Sequence, residues 1–125
     1  MSLWVSDNSL NECENQCIAR FCSLTQRSVY KIKKSCGTNR YLNYLCETVL
    51  SLNFTYFHRV KNNFDLAFQY VSVINKACSN ILKNVPDCPG FDLLRKKTET
   101  MCKIIEAEGE EVKKAVRVDV LSTIF

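Results

Sequence analysis

FDLAFQYVSVINKACSNILK, residues 64–83, decides the fold. Its apolar residues recur at helical steps, so that Phe64, Phe68, Val71, Ile74 or Asn75, Cys78 and Leu82 fall along one side of a helix. Nothing in the stretch alternates as a strand would, and it holds neither glycine nor proline. Asn62-Asn63 marks a chain reversal before it, and Pro86-Asp87-Cys88-Pro89-Gly90, the one dense turn cluster, follows it. A helix with one apolar side must bury that side against other elements.

The flanking sequence supplies them. Upstream, a helix starts at Thr38 or Asn39 and carries Leu42, Leu45, Cys46, Val49 and Val60. Before that, Ser9-Leu10-Asn11-Glu12 has the pattern of a capping box, in which the serine and glutamate each satisfy an orphan amide. The helix it opens carries Leu10, Cys13, Cys17, Phe21 and Leu24, with a break near Ser23 to Thr25, then Val29 and Ile32 up to a cap at Gly37. Downstream, a helix starts near Asp92 with Leu94, Met101, Cys102 and Ile105. Gly109 bends or ends it, Val112, Val116 and Val120 follow, and residues 118–125 continue the helix or form a tail. The expected fold class is all-α, a disulfide-stapled antiparallel bundle of about four helices forming a single domain over residues 1–125.

Composition supports a packed domain. Hydrophobic residues make up 46% and charged residues 24%, which is globular rather than disordered. Eight cysteines, an even number with no Cys-x-x-Cys pair, point to an oxidising compartment and hence to a secreted, extracellular protein. Asn53-Phe54-Thr55 is an acceptor sequence for N-glycosylation at Asn53. Met1-Ser2-Leu3-Trp4 lacks the basic start and apolar run of a signal peptide, so the chain reads as a mature domain. No apolar run approaches the ~20 residues needed to span a bilayer, and a soluble chain is expected.

The cysteine spacing suggests pairings. In antiparallel helices of equal rise, residues at one height have numbers that add to a constant. With a reversal near residue 62 that constant is about 124, which puts Cys46 level with Cys78. Cys36 with Cys88 and Cys22 with Cys102 add to the same value, so one topology accommodates three bridges. Cys13 and Cys17 are left over: four residues apart on a helix they share a face without readily bridging. Local bonding through a distorted first turn, competition of Cys17 with Cys22 for Cys102, and pairing of Cys13 with another chain all stay open.

Chemistry-bearing constellations are sparse. Cys13-x3-Cys17-x4-Cys22 is one cluster where structural zinc needs two close pairs, so no metal is implied. His58 is the sole histidine, and any cysteine or serine nucleophile would depend on it. Glu106, Glu108, Glu110 and Glu111 with Lys113 and Lys114 have the spacing of ion pairs on a solvated helix. With no phosphate-cradling glycine loop either, neither an enzyme nor a cofactor is expected. Phe54, Tyr56, Phe57, Phe64, Phe68 and Tyr70 cluster around the reversal and make either core or the lining of a small apolar ligand's pocket.

Charge is the most usable surface clue. From Arg27 to Glu47 five basic residues face one acidic residue, and from Lys76 to Lys103 six face three. In the bundle both segments sit at one end, where Lys31, Lys33, Lys34, Arg40, Arg95, Lys96 and Lys97 form a basic cap. Such a cap suits an extracellular protein with an acidic face, an anionic lipid headgroup or an anionic glycan. Nucleic acid fits poorly with an extracellular setting.

Cys13-x3-Cys17 and Tyr70-x7-Cys78-x9-Cys88-x13-Cys102 resemble the spacing in nematode secreted helical cysteine-rich domains of the chondroitin proteoglycan 4 kind. The resemblance covers about half the chain, which lacks the Ser-Gly sites that would carry glycosaminoglycan. It implies a secreted, non-enzymatic helical domain and transfers no functional residue. The function expected is that of a secreted binding module for an extracellular protein or acidic glycan, with a carrier of a small apolar ligand as the alternative.

Overall fold

The computed structural model describes residues 10–60 and 63–124, with backbone alone at Phe64 and over 117–124. Four helices follow one another: α1 (Glu12–Ser35), α2 (Arg40–Arg59), α3 (Phe64–Lys83) and α4 (Asp92–Ile124), the last entered through a 3-10 turn at Pro89–Phe91. Each packs on its neighbour in sequence and α4 returns to α1, closing an all-α bundle. Among the described residues there is no strand.

Asparagine sets three of the four helix starts. Its side-chain oxygen accepts from an amide that the helix itself cannot satisfy. Asn39 takes Leu42 N at 3.1 Å, and Asn63 takes Leu66 N at 3.2 Å. At α1 the capping box is Asn11 with Glu14, not Ser9 with Glu12: Asn11 Oδ1 accepts from Glu14 N at 2.8 Å, and Asn11 N donates to Glu14 Oε1 at 2.6 Å. Ser9, Asn62 and the stretch Met1 to Trp4 lie outside the described residues. At the other end of α1, Gly37 has φ +59, the left-handed conformation that ends a helix and that a Cβ disfavours.

The helices bury somewhat different faces from those the spacing suggests. On α1 the buried line is Ile18, Phe21, Thr25, Val29 and Ile32, while Cys13 is exposed and Cys17 only half-buried. Cysteine is ordinarily a buried residue, and weighting it heavily rotates the expected face by about one residue. No break occurs near Ser23 to Thr25. On α3 the line runs through Ala67, Tyr70, Val71, Ile74, Cys78 and Ile81, leaving Phe68 and Leu82 half-buried. Helix α4 does not end at Gly109 and continues to Ile124, so the backbone follows the helical reading of its C-terminal stretch; the Val120 side chain is outside the described residues.

At Gly109, α4 comes close to both α3 and α1. A Cβ there would stand 2.6 Å from Val71 Cγ1 on α3 and 3.3 Å from Phe21 Cε1 on α1. Around it Phe21 meets Tyr70 edge-on at 5.1 Å, and Tyr56 stacks on Tyr70 at 6.0 Å. Arg95 secures the opposite end: its guanidinium donates to Val85 O at 3.2 Å, Pro86 O at 2.8 Å and Asp87 Oδ1 at 3.1 Å, tying the α3–α4 connection to the first turn of α4.

Candidate functional site

Helices α1 and α4 leave a groove of about 620 Å³ between them at the end of the bundle where α1 stops and α4 starts. Its rim carries Lys31 and Lys34, one turn apart on α1, and Lys96 and Lys97 on α4. Ile32 and Met101, each 3% exposed, form the floor with Ile104, whose side of the groove is open to solvent at 44%. Ser28, Ser35 and Thr100 add hydroxyls along the sides. Ser35 and Thr100 already donate to the carbonyls of Lys31 and Lys96, and their oxygens remain free to accept.

Four of the seven residues of the expected basic cap, Lys31, Lys34, Lys96 and Lys97, line this groove, and three do not. Lys33 turns to α2 and pairs with Glu47 at 3.0 Å. Arg95 is consumed by the connection it holds. Arg40 is exposed at the start of α2 and does not line the groove. Among the described residues none of the four groove lysines has a carboxylate at ion-pair distance; the Lys34 ammonium rests 4.8 Å above the Tyr30 ring. The spacing of the lysines is legible in the sequence, whereas the floor and the hydroxyls are not, because their common exposure depends on how α1 and α4 meet.

Asn53 has a different role from the one its acceptor sequence suggests. It is 2% exposed, its Nδ2 donates to Cys22 O at 3.0 Å, and its Oδ1 accepts from the Tyr70 hydroxyl. Nδ2 is the atom a glycan would be attached to, and here it lies inside the bundle. The folded helix packing leaves no room for a sugar there, so Asn53 is a core hydrogen-bonding residue. Burial also pushes the Tyr70 hydroxyl well above its ordinary pKa, which keeps it a donor.

All eight cysteines stand as thiols in the structure, and none of the three expected bridges is formed. Cys22 lies beside Asn53, 3.4 Å from its Nδ2, rather than beside Cys102. The reason is register. Arg20 meets Glu108 and Phe21 meets Gly109, so the α4 residue level with Cys22 is about five positions beyond Cys102, roughly 7 Å along the axis. Cys88 is exposed on the α3–α4 connection while Cys36 is buried against Cys46. Cys46 and Cys78 are both buried, and Cys46 is among the causes that raise the Cys78 thiol. Burial raises the thiol pKa of Cys17, Cys36, Cys78 and Cys102, and that of Cys46 to about 12.

The remaining candidates for chemistry are dispersed. His58 packs against the edges of Phe54 and Phe57, with ring centroids 4.4 and 6.0 Å away. Glu110 and Glu111 pair with Lys113 and Lys114 at 3.9 and 3.8 Å as ordinary surface ion pairs, while Glu108, half-buried, meets Arg20 at 3.8 Å. The aromatic set divides: Phe54 is 65% exposed and lines a second groove between α1 and α2, while Tyr70 is fully buried in the core. Among the described residues no helix is long and apolar enough to cross a membrane, and no three His, Cys, Asp or Glu side chains gather as metal ligands. Compared with protein-family models, curated proteins and solved structures, the chain matches none.

Proposed function

We propose that the chain is a non-enzymatic extracellular binding module that holds an anionic partner, an acidic glycan foremost, in the groove between α1 and α4. The observation that carries this reading is the placement of Lys31, Lys34, Lys96 and Lys97 around one groove with no counter-charge among the described residues. A single exposed ion pair contributes about 0–1 kcal/mol, so one lysine would hold little. Four on two rigid helices let a partner with repeated negative charge make several contacts at the entropic cost of one association. The apolar floor adds area that a fully hydrated anion would not use, and it suits the carbon faces of sugar rings. The extracellular setting rests on the even set of eight cysteines and on the resemblance to secreted helical domains. A carrier of a small apolar ligand has less behind it, because the aromatic residues that would line its cavity are split between core and surface.

Heparin-column retention tests the reading. Lys96→Ala/Lys97→Ala removes two groove charges, and Lys113→Ala/Lys114→Ala removes two from elsewhere on the same helix. The first variant should elute at markedly lower salt than the parent and the second close to it. Equal shifts would mean that net charge alone governs retention. Elution of the parent at physiological salt would sink the glycan reading, and capture of an acidic polypeptide in its place would select the protein partner.

A further inference from the structure

Four of the eight cysteines form a succession through the core, one from each helix: Cys36 at the end of α1, Cys46 on α2, Cys78 on α3 and Cys102 on α4. Contacts between the helices fix which of them face each other. On α1 and α2, Lys33 meets Glu47 at 3.0 Å; three residues further along α1 and one back along α2 lie Cys36 and Cys46, both buried and each perturbing the other's thiol. On α3 and α4, Val71 stands against Gly109. Seven residues forward on α3 and seven back on α4, two turns along the same faces, lie Cys78 and Cys102. The Cys102 thiol reaches to 3.5 Å from the Cys78 carbonyl oxygen.

We propose that Cys36–Cys46 and Cys78–Cys102 are the structural disulfides of this protein, in place of the bridges that the cysteine numbering suggests. A bond between Cys46 and Cys78, which the numbering suggests, would strand Cys36 and Cys102, whereas the proposed pairs use all four. The two bridges tie α1 to α2 and α3 to α4, the two hairpins of the bundle, and each closes within a hairpin that can form before the hairpins dock. Each bridge forms by two exchange steps: one cysteine thiolate attacks a small-molecule disulfide and releases one small thiol, then its partner thiolate displaces the second. Two protein thiols and one small disulfide become one protein disulfide and two small thiols, with no net change in protons or electrons. Since burial raises all four thiol pKa values, thiolate is scarce in the closed bundle, and exchange belongs to the stage before the hairpins dock.

Peptide mapping decides it. The full chain is refolded in a mixed glutathione buffer, remaining thiols are alkylated in denaturant, and the protein is digested with trypsin without reduction. Arg40 separates Cys36 from Cys46, so the expected cross-linked products are residues 35–40 bound to 41–59, and residues 77–83 bound to 98–103. Recovery of 41–59 bound to 77–83, of 35–40 bound to 84–95, or of all four cysteines as alkylated thiols would overturn the assignment. Cys36→Ser provides an independent reading: it should expose one new alkylatable thiol, at Cys46, and leave the Cys78–Cys102 product unchanged. A new thiol at Cys88 instead would refute the first pair.

Discussion

Replacing Gly109 by alanine should destabilise this protein, against the usual sign of that substitution. In an open mid-helix position alanine is better than glycine by about 0.8–1 kcal/mol, because it restricts the unfolded chain. Here the added methyl would stand 2.6 Å from Val71 Cγ1 and 3.3 Å from Phe21 Cε1. Carbon atoms pack best at about 3.5–4.0 Å, so the methyl lacks roughly 1 Å of room against Val71. Val71 is fully buried and β-branched, with one strongly preferred rotamer in a helix, and Phe21 is held edge-on by Tyr70. Neither can swing aside, and α4 has to move away from α3 and α1. Overpacking of this kind costs about 1–3 kcal/mol; set against the gain in helix propensity, the net loss is about 1 kcal/mol, or roughly 3–5 °C in Tm for a domain of this size. Urea unfolding followed by circular dichroism reads it directly. Gly90→Ala, where nothing lies within 4 Å of the added methyl, is the control and should change stability little. A Gly109→Ala protein as stable as the parent, or more so, would refute the close approach of α4 to Val71.

Three other perturbations have definite outcomes. Chain secreted from a eukaryotic host should yield residues 41–59 without added sugar at Asn53, and Asn53→Ala should cost about 1–3 kcal/mol by leaving the buried Tyr70 hydroxyl unpaired and removing the link to the Cys22 carbonyl; a glycopeptide from folded protein would contradict the buried amide. Arg95→Ala should lower stability by about 1–2 kcal/mol through the lost contacts to the α3–α4 connection while heparin retention changes little, and a large loss of retention would place Arg95 in the binding surface after all. Reduced and oxidised protein should differ in alkali. In the reduced chain burial lifts the Cys46 thiol from 9.0 to about 12, so above pH 9 the unfolded chain has released a proton that the folded one keeps, and stability, fully present below pH 9, falls as pH rises toward 12. Urea midpoints at several alkaline pH values, with and without reductant, should fall more steeply with reductant, and parallel slopes would leave Cys46 outside any bridge.

Helix α3 was legible because its bounds are set locally: Asn63 caps it, the Pro-Asp-Cys-Pro-Gly cluster stops it, and both lie within a few residues of the helix they limit. Asn39 and Gly37 were readable for the same reason. On α1 the buried face lies one residue away from the one that spacing suggests, because Cys13 and Cys17 look like core residues by type and only the packing against α2 and α4 gives that place to Ile18 and Thr25. The Asn53 triplet is a case where a local motif misleads, since a sequon specifies three residues and says nothing about which way the asparagine faces.

The candidate groove divides along the same line. That two lysine-rich segments end up at one end of the bundle follows from helix count and direction, which are written in the order of turns and helices. That Lys33 and Arg95 drop out while Ile32, Met101 and Ile104 come in follows from the rotation of α1 and α4 about their axes.

Sequence by itself determined that this is an all-α bundle, where α2 and α3 start, and that its cysteines are too many to be incidental. Those properties depend on contacts within four or five residues, on the 3.6-residue period and on composition. Tertiary structure alone decided which cysteines face one another and which lysines share a groove. Both depend on axial register between helices, where a shift of five residues, as between Cys22 and the level of Cys102, moves a sulfur by about 7 Å. That register is set by pairs such as the bare backbone of Gly109 and the Val71 side chain, far apart in the chain and recognisable as partners only once the helices have packed.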